Sequence, residues 1–492
     1  MRDLLKKPLC WPEHLGAAIP DSVHATSACL PMWQDNVGYE EGEPRVVEAL
    51  KAGYPRFVIH PVTQGLHDEC ATRFAATGEF CMAFPSPGAG ERCLNFVAPD
   101  LRSVQHIHEL DVNGVCAVIL PDAYHERARH FWQHTGEGVS SRLAQATLEG
   151  RRGPAGNEAK VELRSRIADL SGETTDNVFL FATGMTAIFM AHRVLQRLTP
   201  GRRTVQFGFP YVDILKIQEK FGAGVHFYPK GDAVDLAALE ELLSRDAIAG
   251  LYCEFPGNPT LRSPDLHRLA ELAAKHRFPL VVDDTIATFV NVDLMPPADI
   301  LASSLTKNFS GVGDVMGGSA VLNSKGPFYD DLAAGFAQEF EDNLYGEDAI
   351  CLEGNSRDFC ERVRRVNTTA ESVCNFLVDH PSVAKVYYPR FQTREFYDAF
   401  RRRDGGYGGL FSLTFARPED HAPRFFNTLE INKGPSLGTN FSLACPYTIL
   451  AHYNELEFAE GNGVSRHLVR VSVGLEPADD LISRFEHALS VL

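Results

Sequence analysis

The chain has 492 residues, 44% hydrophobic and 23% charged, so it is long enough for several domains and is neither disordered throughout nor fibrous. Its 47 Lys and Arg against 64 Asp and Glu give a net charge of −17, which argues against a general nucleic-acid-binding protein. No run of 18 apolar residues occurs, the N-terminus shows no signal-peptide pattern, and the eleven cysteines show no C-x-x-C spacing. We therefore expect a cytoplasmic protein with reduced thiols that uses no metal, nucleic acid or membrane.

The first part of the chain, residues 1–135, is rich in Pro, Gly and Cys, and its clearest strand signal is at residues 115–120. We interpret it as an appended N-terminal domain. The polar, Gly-rich run at residues 148–156 is typical of a loop.

In the middle of the chain, short apolar runs alternate with segments of helical period, which is typical of a parallel sheet covered by helices. The helix after residue 262 should have Ser263 as its N-cap and Pro264 as its first residue. The pattern predicts an α/β domain over residues 136–325, with strands at residues 178–182, 204–208, 225–228, 251–255 and 278–285.

The pattern of predicted helices and strands changes after residue 325. A charged helix is predicted at residues 361–379, and an amphipathic helix closes the chain at residues 477–489. Strands are predicted between them at residues 409–415 and 467–473. Residues 326–492 therefore read as a smaller α+β domain.

Lys307 follows two hydroxyl residues, Ser304 and Thr306, and this pattern admits three interpretations. A solvated lysine at a strand end is the commonest. The S-x-x-K motif of serine acyl transfer lacks its K-T-G companion here. A Schiff-base lysine with two hydroxyl donors for a phosphate would indicate pyridoxal phosphate.

The third interpretation requires a carboxylate behind the pyridine nitrogen, N–H groups for the phosphate and an aromatic face for the ring. Each candidate alone is more simply a turn or core residue, but all follow the carboxyl ends of successive predicted strands, where ligands of open α/β sheets collect. The candidates are Thr183, Gly184, Met185, Tyr211, Asn258, Asp283 and Asp284.

The order of five strings resembles the cystathionine γ-synthase family of pyridoxal-phosphate enzymes of cysteine and methionine metabolism, from about Ser140 to the C-terminus. These strings are TGMTAI, EFPGNP, VVDDTIAT, ADILASSLTKNFSG with DVMGG, and LVRVSVGLE. The fungal members are the most similar, because they also carry an N-terminal extension and the string GPSLGTNFSLACPYT. The resemblance implies a fold type I transferase that binds pyridoxal phosphate and forms a homodimer or homotetramer.

The resemblance also implies roles for single residues. Lys307 would bind the cofactor aldehyde and then transfer protons, Asp283 rather than Asp284 would hold the pyridinium, and Tyr211 would stack on the ring and act as an acid or base. The remaining assignments are Thr183, Gly184, Met185, Ser304 and Thr306 for the phosphate, Asn258 for the ring hydroxyl, and Ser436 with Arg470 for the substrate carboxylate.

The sequence departs from the family in three places. The family's Y-x-R pair reaches the phosphate of the neighbouring subunit's cofactor, and here Arg142 lacks the tyrosine, whereas Arg56 has it but lies much earlier. Loop length favours Arg142. Asp284 replaces the usual Asn, and residues 439–442 stand where bacterial members line the substrate pocket differently.

The expected reaction is γ-replacement on O-acetyl-L-homoserine, with L-cysteine as the nucleophile and cystathionine as the product. Alternatives are another nucleophile (sulfide, a carbon acid or an amine) in secondary metabolism, and a γ- or β-lyase. A catalytically silent scaffold or regulatory protein is a further alternative. The presence of Lys307, Asp283 and Arg470 together argues against that last alternative.

Overall fold

A computed structural model describes residues 2–53, 58–99, 106–110 and 112–492. Its strands are β1 Glu79–Phe84, β2 Ile107–Glu109, β3 Cys116–Pro121, β4 Val178–Phe181, β5 Thr204–Phe207, β6 Val225–Tyr228, β7 Leu251–Glu254, β8 Leu280–Asp283, β9 Ile300–Ser304, β10 Gly318–Leu322, β11 Val383–Tyr387, β12 Leu410–Phe415, β13 Asn432–Lys433, β14 Leu443–Pro446 and β15 Val469–Ser472. Its α-helices are α1 Trp33–Glu40, α2 Pro44–Val47, α3 Pro61–Phe74, α4 Pro87–Val97, α5 His125–Thr135, α6 Ser141–Leu148, α7 Asn157–Ser171, α8 Gly184–Leu198, α9 Val212–Lys220, α10 Ala233–Leu243, α11 Leu266–His276, α12 Thr288–Asn291, α13 Tyr329–Glu339, α14 Gly346–Asn355, α15 Phe359–Val378, α16 Arg394–Asp398, α17 Pro418–Thr428, α18 Tyr447–His452, α19 Leu456–Gly461 and α20 Ala478–Ser490.

The central sheet has the strand order β4-β10-β9-β8-β7-β5-β6. Its strands from β9 to β6 are parallel, and β10 runs antiparallel to both β4 and β9. Val281 packs into the cluster that includes α8 and α13, while Val282 packs into the one that includes α10 and α11. The sheet is therefore buried on both faces, which explains the continuous apolar runs and confirms the α/β fold.

The parallel register aligns the carboxyl ends of neighbouring strands. Glu254 at the end of β7 pairs with Asp283 at the end of β8, and Asp283 pairs with Ala302 in β9. Side chains that follow these ends therefore meet at one edge of the sheet.

The predicted start of α11 is wrong. The helix begins at Leu266, and its N-cap is Asp265, whose carboxylate accepts a hydrogen bond from the Arg268 N–H. The Ser263 N–H donates instead to the Thr393 hydroxyl at 2.7 Å, so a tertiary contact holds this residue outside the helix.

The C-terminal sheet has the strand order β11-β12-β15-β14-β13. The strands predicted at 409–415 and 467–473 are present as β12 and β15, and the predicted helices as α15 and α20. The core between β12, α17 and α20 contains Phe411, Phe425 and Phe485. This arrangement is the smaller α+β unit.

The N-terminal part of the chain packs in two different places. A three-stranded antiparallel sheet, β1-β3-β2, forms one of them. The first residues instead lie against the C-terminal sheet, where Leu30 N–H donates to the Lys433 carbonyl and Lys433 N–H donates to the Leu9 carbonyl, both at 3.1 Å. The domain bounds at residues 135 and 325 stay predictions. Among the described helices, none has the length and hydropathy that a bilayer crossing requires.

Candidate active site

A cleft of about 920 Å³ opens at the carboxyl edge of the central sheet. Ser436 reaches it indirectly, through a 3.3 Å hydrogen bond from the Lys307 ammonium group to its hydroxyl. Of the other residues expected at the site, the cleft is lined by Thr183, Gly184, Met185, Tyr211, Asn258, Asp283, Ser304, Thr306, Lys307 and Arg470.

One end of the cleft is a cradle at the N-terminus of α8. The Thr183 hydroxyl caps this helix by accepting from Thr186 N–H at 3.1 Å, and Gly184 and Met185 are the first helical residues. A Cβ on Gly184 would lie 2.6 Å from the Ser304 Cβ, so only glycine allows this approach. The first N–H groups of a helix have no intrahelical partner and favour an anion.

The two threonine hydroxyls at this end have other partners. The Thr306 hydroxyl exchanges hydrogen bonds with the backbone of Gly317, at 3.0 and 3.3 Å. Backbone N–H groups at the start of α8 and the Ser304 hydroxyl are therefore the phosphate donors with the fewest competing contacts.

Asp283 and Lys307 face the middle of the cleft from neighbouring strand ends. The Asp283 carboxylate accepts from Thr285 N–H at 2.8 Å, and burial raises its pKa above the ordinary value. A cation beside the carboxylate, in the cleft, would lower this pKa again. Lys307 follows β9 after a tight turn, in which its N–H donates to the Ser304 carbonyl at 3.3 Å.

Glu254 is a buried residue that the sequence reasoning missed. One of its carboxylate oxygens accepts from Tyr211 N–H and the other from Asn258 N–H, so it ties the two loops that carry those residues. Burial, and then the neighbouring Asp283, raise its pKa well above the ordinary value. Its place inside EFPGNP at the end of a predicted strand was the available signal.

Arg470 closes the far end of the cleft. Its side chain is 5% exposed, and its guanidinium donates to the Asn258 side-chain oxygen at 3.2 Å and to the Pro435 carbonyl at 2.6 Å. It also lies 4.8 Å from the centroid of the Tyr447 ring. Within the described part of the chain no carboxylate forms an ion pair with it, although Glu254 and Asp283 line the same cleft and the charge of Arg470 opposes the effect of burial on the pKa of Glu254.

A second missed feature joins α5 to the cleft. His134 Nδ1 lies 2.8 Å from a carboxylate oxygen of Asp213, both side chains are buried, and Asp213 lines the cleft. These residues are 79 positions apart and belong to no recognisable local motif, so sequence offered no signal for the pair.

Arg142 lies beside the cleft rather than in it. It lines a neighbouring cavity that shares Gly136, Thr183 and Met316 with the cleft. Within its own chain it donates to the Asp314 carbonyl at 2.7 Å and pairs with Asp348 at 3.2 Å. Its expected contact with a partner's cofactor stays a prediction, and the alternative, Arg56, lies outside the described residues.

Comparison with known proteins decides the family. The profile described as "Cys/Met metabolism PLP-dependent enzyme" matches residues 136–490, and that of "Fungal trans-sulfuration enzyme, N-terminal domain" matches residues 62–140. The chain belongs to the Cys/Met metabolism PLP-dependent enzymes. The fold class and the pyridoxal-phosphate cofactor expected from the sequence are thereby confirmed.

Relatives within this family match along almost the whole chain. A cystathionine gamma-synthase of Neurospora crassa is 38% identical over 98% of both chains, and the cystathionine gamma-synthase-like enzyme iboG1 of Amanita muscaria is 37% identical over 96% of both. A solved structure of metB from Corynebacterium glutamicum is 27% identical, with a TM-score of 0.58 over 68% of this chain and 86% of that one.

The donors in the cleft fit the cofactor of the family. Pyridoxal phosphate presents an aldehyde, a ring nitrogen, a ring hydroxyl and a phosphate. The cleft offers an amine at Lys307, a carboxylate at Asp283, an amide at Asn258 and the cradle at Gly184 for these four groups. Glycine at position 184 lets the start of α8 and the Ser304 hydroxyl lie side by side, since a Cβ there would collide with Ser304.

Proposed function

We propose that the protein catalyses γ-replacement on O-acetyl-L-homoserine with L-cysteine as the nucleophile, forming cystathionine. The name of the Neurospora crassa relative supports a cystathionine-forming reaction. The cleft supports an amino-acid substrate, because a cofactor site and a receptor for a carboxylate face each other across it.

Arg470 is the observation that carries the proposal. An arginine this buried is ordinarily paired, because an uncompensated buried charge is strongly destabilising. Its three donor contacts to oxygen, on Asn258, Pro435 and Ser436, are all to neutral groups, so a substrate carboxylate would supply a directly bound anion through a bidentate hydrogen bond. The Asn258 contact fixes the plane of the guanidinium toward the cofactor site.

The other residues of the cleft each have a separate task in the reaction. Bound pyridoxal phosphate supplies an electron sink for the substrate carbons. Asp283 holds a proton on the ring nitrogen. The Lys307 amine removes a proton first from Cα and then from Cβ of the substrate, and the Ser436 hydroxyl holds that amine on the Arg470 side of the cleft. Tyr211 covers the ring and exchanges a proton near the departing acyloxy group.

The charges of the cleft favour the acetyl ester over a succinyl or phosphoryl ester. Among the described residues that line it, Lys307 and Arg470 are the cationic ones. Lys307 is assigned to the cofactor and Arg470 to the α-carboxylate, so a second substrate anion would find no cation. An uncharged acetyl group has no such requirement.

The test is incubation of the holoenzyme with O-acetyl-L-homoserine and equal concentrations of cysteine and sulfide, followed by mass spectrometry of the products. Cystathionine should be the main product, and O-succinyl-L-homoserine should react at least about tenfold more slowly. Lys307→Ala is the inactive control and should also lose the borohydride-sensitive absorbance of the cofactor. Release of only 2-oxobutyrate or pyruvate with ammonia would contradict γ-replacement.

We also propose a homodimer or homotetramer in which Arg142 contacts the phosphate of the partner's cofactor. The position of Arg142 in a cavity that adjoins the phosphate cradle supports this assignment. Sedimentation analysis of the holoenzyme tests the assembly, and a monomer that retains full activity would contradict it.

A further inference from the structure

A second groove, of about 890 Å³, lies behind the wall of the active site. Glu254 lines both cavities. In the loop that follows it, Asn258 faces the active site, whereas Thr260 and Arg262 face the groove. The groove is therefore a separate cavity that shares a loop with the catalytic one.

Three cationic side chains line the groove: Lys230, Arg262 and Lys385. In the described part of the chain, none of them lies within 4 Å of a carboxylate oxygen. Burial, and then the positive charge of Arg262, lower the pKa of Lys385, so two like charges are held near each other. Lys230 and Lys385 are exposed, and the Lys385 ammonium group lies 4.4 Å from the centroid of the Tyr387 ring, so water and this ring offset part of the repulsion. A bound anion would offset more of it.

Two buried polar atoms beside these charges also lack partners. The Arg262 Nε and the Ser263 hydroxyl oxygen are buried, and neither has a hydrogen-bond partner among the described residues. Ser263 is only 2% exposed. Since native structures leave few buried polar groups unsatisfied, both atoms are spare hydrogen-bonding groups in the wall of the groove.

Two carboxylates at or beside the groove have other hydrogen-bond partners. Asp235 accepts from the backbone N–H groups of Lys230 and Gly231, at 2.7 and 2.9 Å. Glu254 accepts from two backbone N–H groups of the active-site loops. Neither carboxylate forms an ion pair with the three cations.

We propose that the groove binds a small molecule that carries a phosphate group. A guanidinium, a hydroxyl and two ammonium groups match the several oxygens and the multiple charge of a phosphate better than those of a single carboxylate. Phe207, Phe209 and Tyr387 line the remainder of the groove.

Calorimetric titration of the holoenzyme with inorganic pyrophosphate at low ionic strength tests the proposal. The holoenzyme is used because its cofactor fills the phosphate cradle at Gly184. We expect one site per chain, with a dissociation constant that rises about tenfold in Arg262→Gln and in Lys385→Gln. Lys275→Gln, which alters an exposed lysine of α11, is the matched control and should bind like the wild type.

Three results would overturn the proposal. The first is no binding to the wild type up to about 10 mM pyrophosphate. The second is equal affinity in the wild type and in both groove variants. The third is a change in the cofactor absorbance that accompanies binding and persists in both variants, which would place the anion in the active site. If circular dichroism shows that Arg262→Gln does not fold, the affinity of Lys385→Gln for pyrophosphate alone decides whether the groove is the binding site.

Discussion

Asp284 should be an uncharged acid in the folded protein at neutral pH. It is 1% exposed, and burial, to which the charge of Asp283 adds, raises its pKa from 3.8 to about 8, against the opposing effect of the Ser303 hydroxyl. The family usually has Asn at this position. A protonated carboxyl is close to an amide in size and charge, so the departure is conservative below about pH 8.

Asp284→Asn tests this protonation state, and its effect on the free energy of unfolding depends on pH. Between pH 3.8 and 8 the unfolded chain releases this proton while the folded chain keeps it, so wild-type stability falls as pH rises, by about 1.4 kcal/mol per pH unit. The loss amounts to about 1.5 kcal/mol at pH 5 and about 4 kcal/mol at pH 7, and it levels off above pH 8. The free energy of unfolding of the Asn variant does not fall with pH in this way. At each pH it should therefore exceed that of the wild type by the amount that the wild type has lost.

Urea denaturation of both proteins at pH 5, 7 and 9 measures the gain. Asp246→Asn, at an exposed position, is the control and should change the free energy of unfolding by less than about 0.5 kcal/mol at every pH. If the difference in free energy of unfolding between Asp284→Asn and the wild type is the same at pH 5 and pH 7, the folded protein holds Asp284 ionised and the prediction is wrong.

Three further substitutions test the active site. Arg470→Lys removes the bidentate donor and should raise KM for the amino-acid substrate by about tenfold or more, with the cofactor absorbance unchanged; an unaltered KM would remove Arg470 from substrate binding. Asp283→Asn should lower kcat by about a hundredfold or more while the cofactor stays bound, because an amide does not stabilise a proton on the ring nitrogen. Steady-state kinetics would measure the decrease in kcat. Gly184→Ala places a Cβ 2.6 Å from that of Ser304 and should weaken cofactor binding by about tenfold, measured by titration of the apoenzyme; equal affinity would contradict the cradle.

The sequence predicted the central unit well because its signals are local. Each parallel strand is a short apolar run, each helix begins close to the residue that ends the preceding strand, and this alone places Gly184 and Asp283 at one edge of the sheet. The predicted start of α11 was wrong because a local signal was overridden by a distant contact. Ser263 and Pro264 form a plausible helix start, but the Ser263 N–H donates to the hydroxyl of Thr393, 130 residues away.

What the sequence could not show depends on contacts between distant segments. Arg470 meets Asn258 across 212 residues, and His134 meets Asp213 from a helix of the N-terminal extension. No periodicity or spacing encodes such pairs, because they arise only when separate units pack. The resemblance supplied the role of Arg470 but not that of Glu254 or of the pair at His134.

The hydrogen bonds that join Leu9 and Leu30 to Lys433 have a practical consequence for dissecting the protein. Lys433 is fully buried, its ammonium group lies 4.2 Å from the centroid of the Phe426 ring, and burial lowers its pKa to about 8. A fragment starting at residue 62 or 136, where the family profiles begin, would uncover this amine and leave the polar edge of β13 in water. Truncations designed from those boundaries would leave this strand edge unpaired and should therefore aggregate, so a shortened enzyme should keep the opening residues.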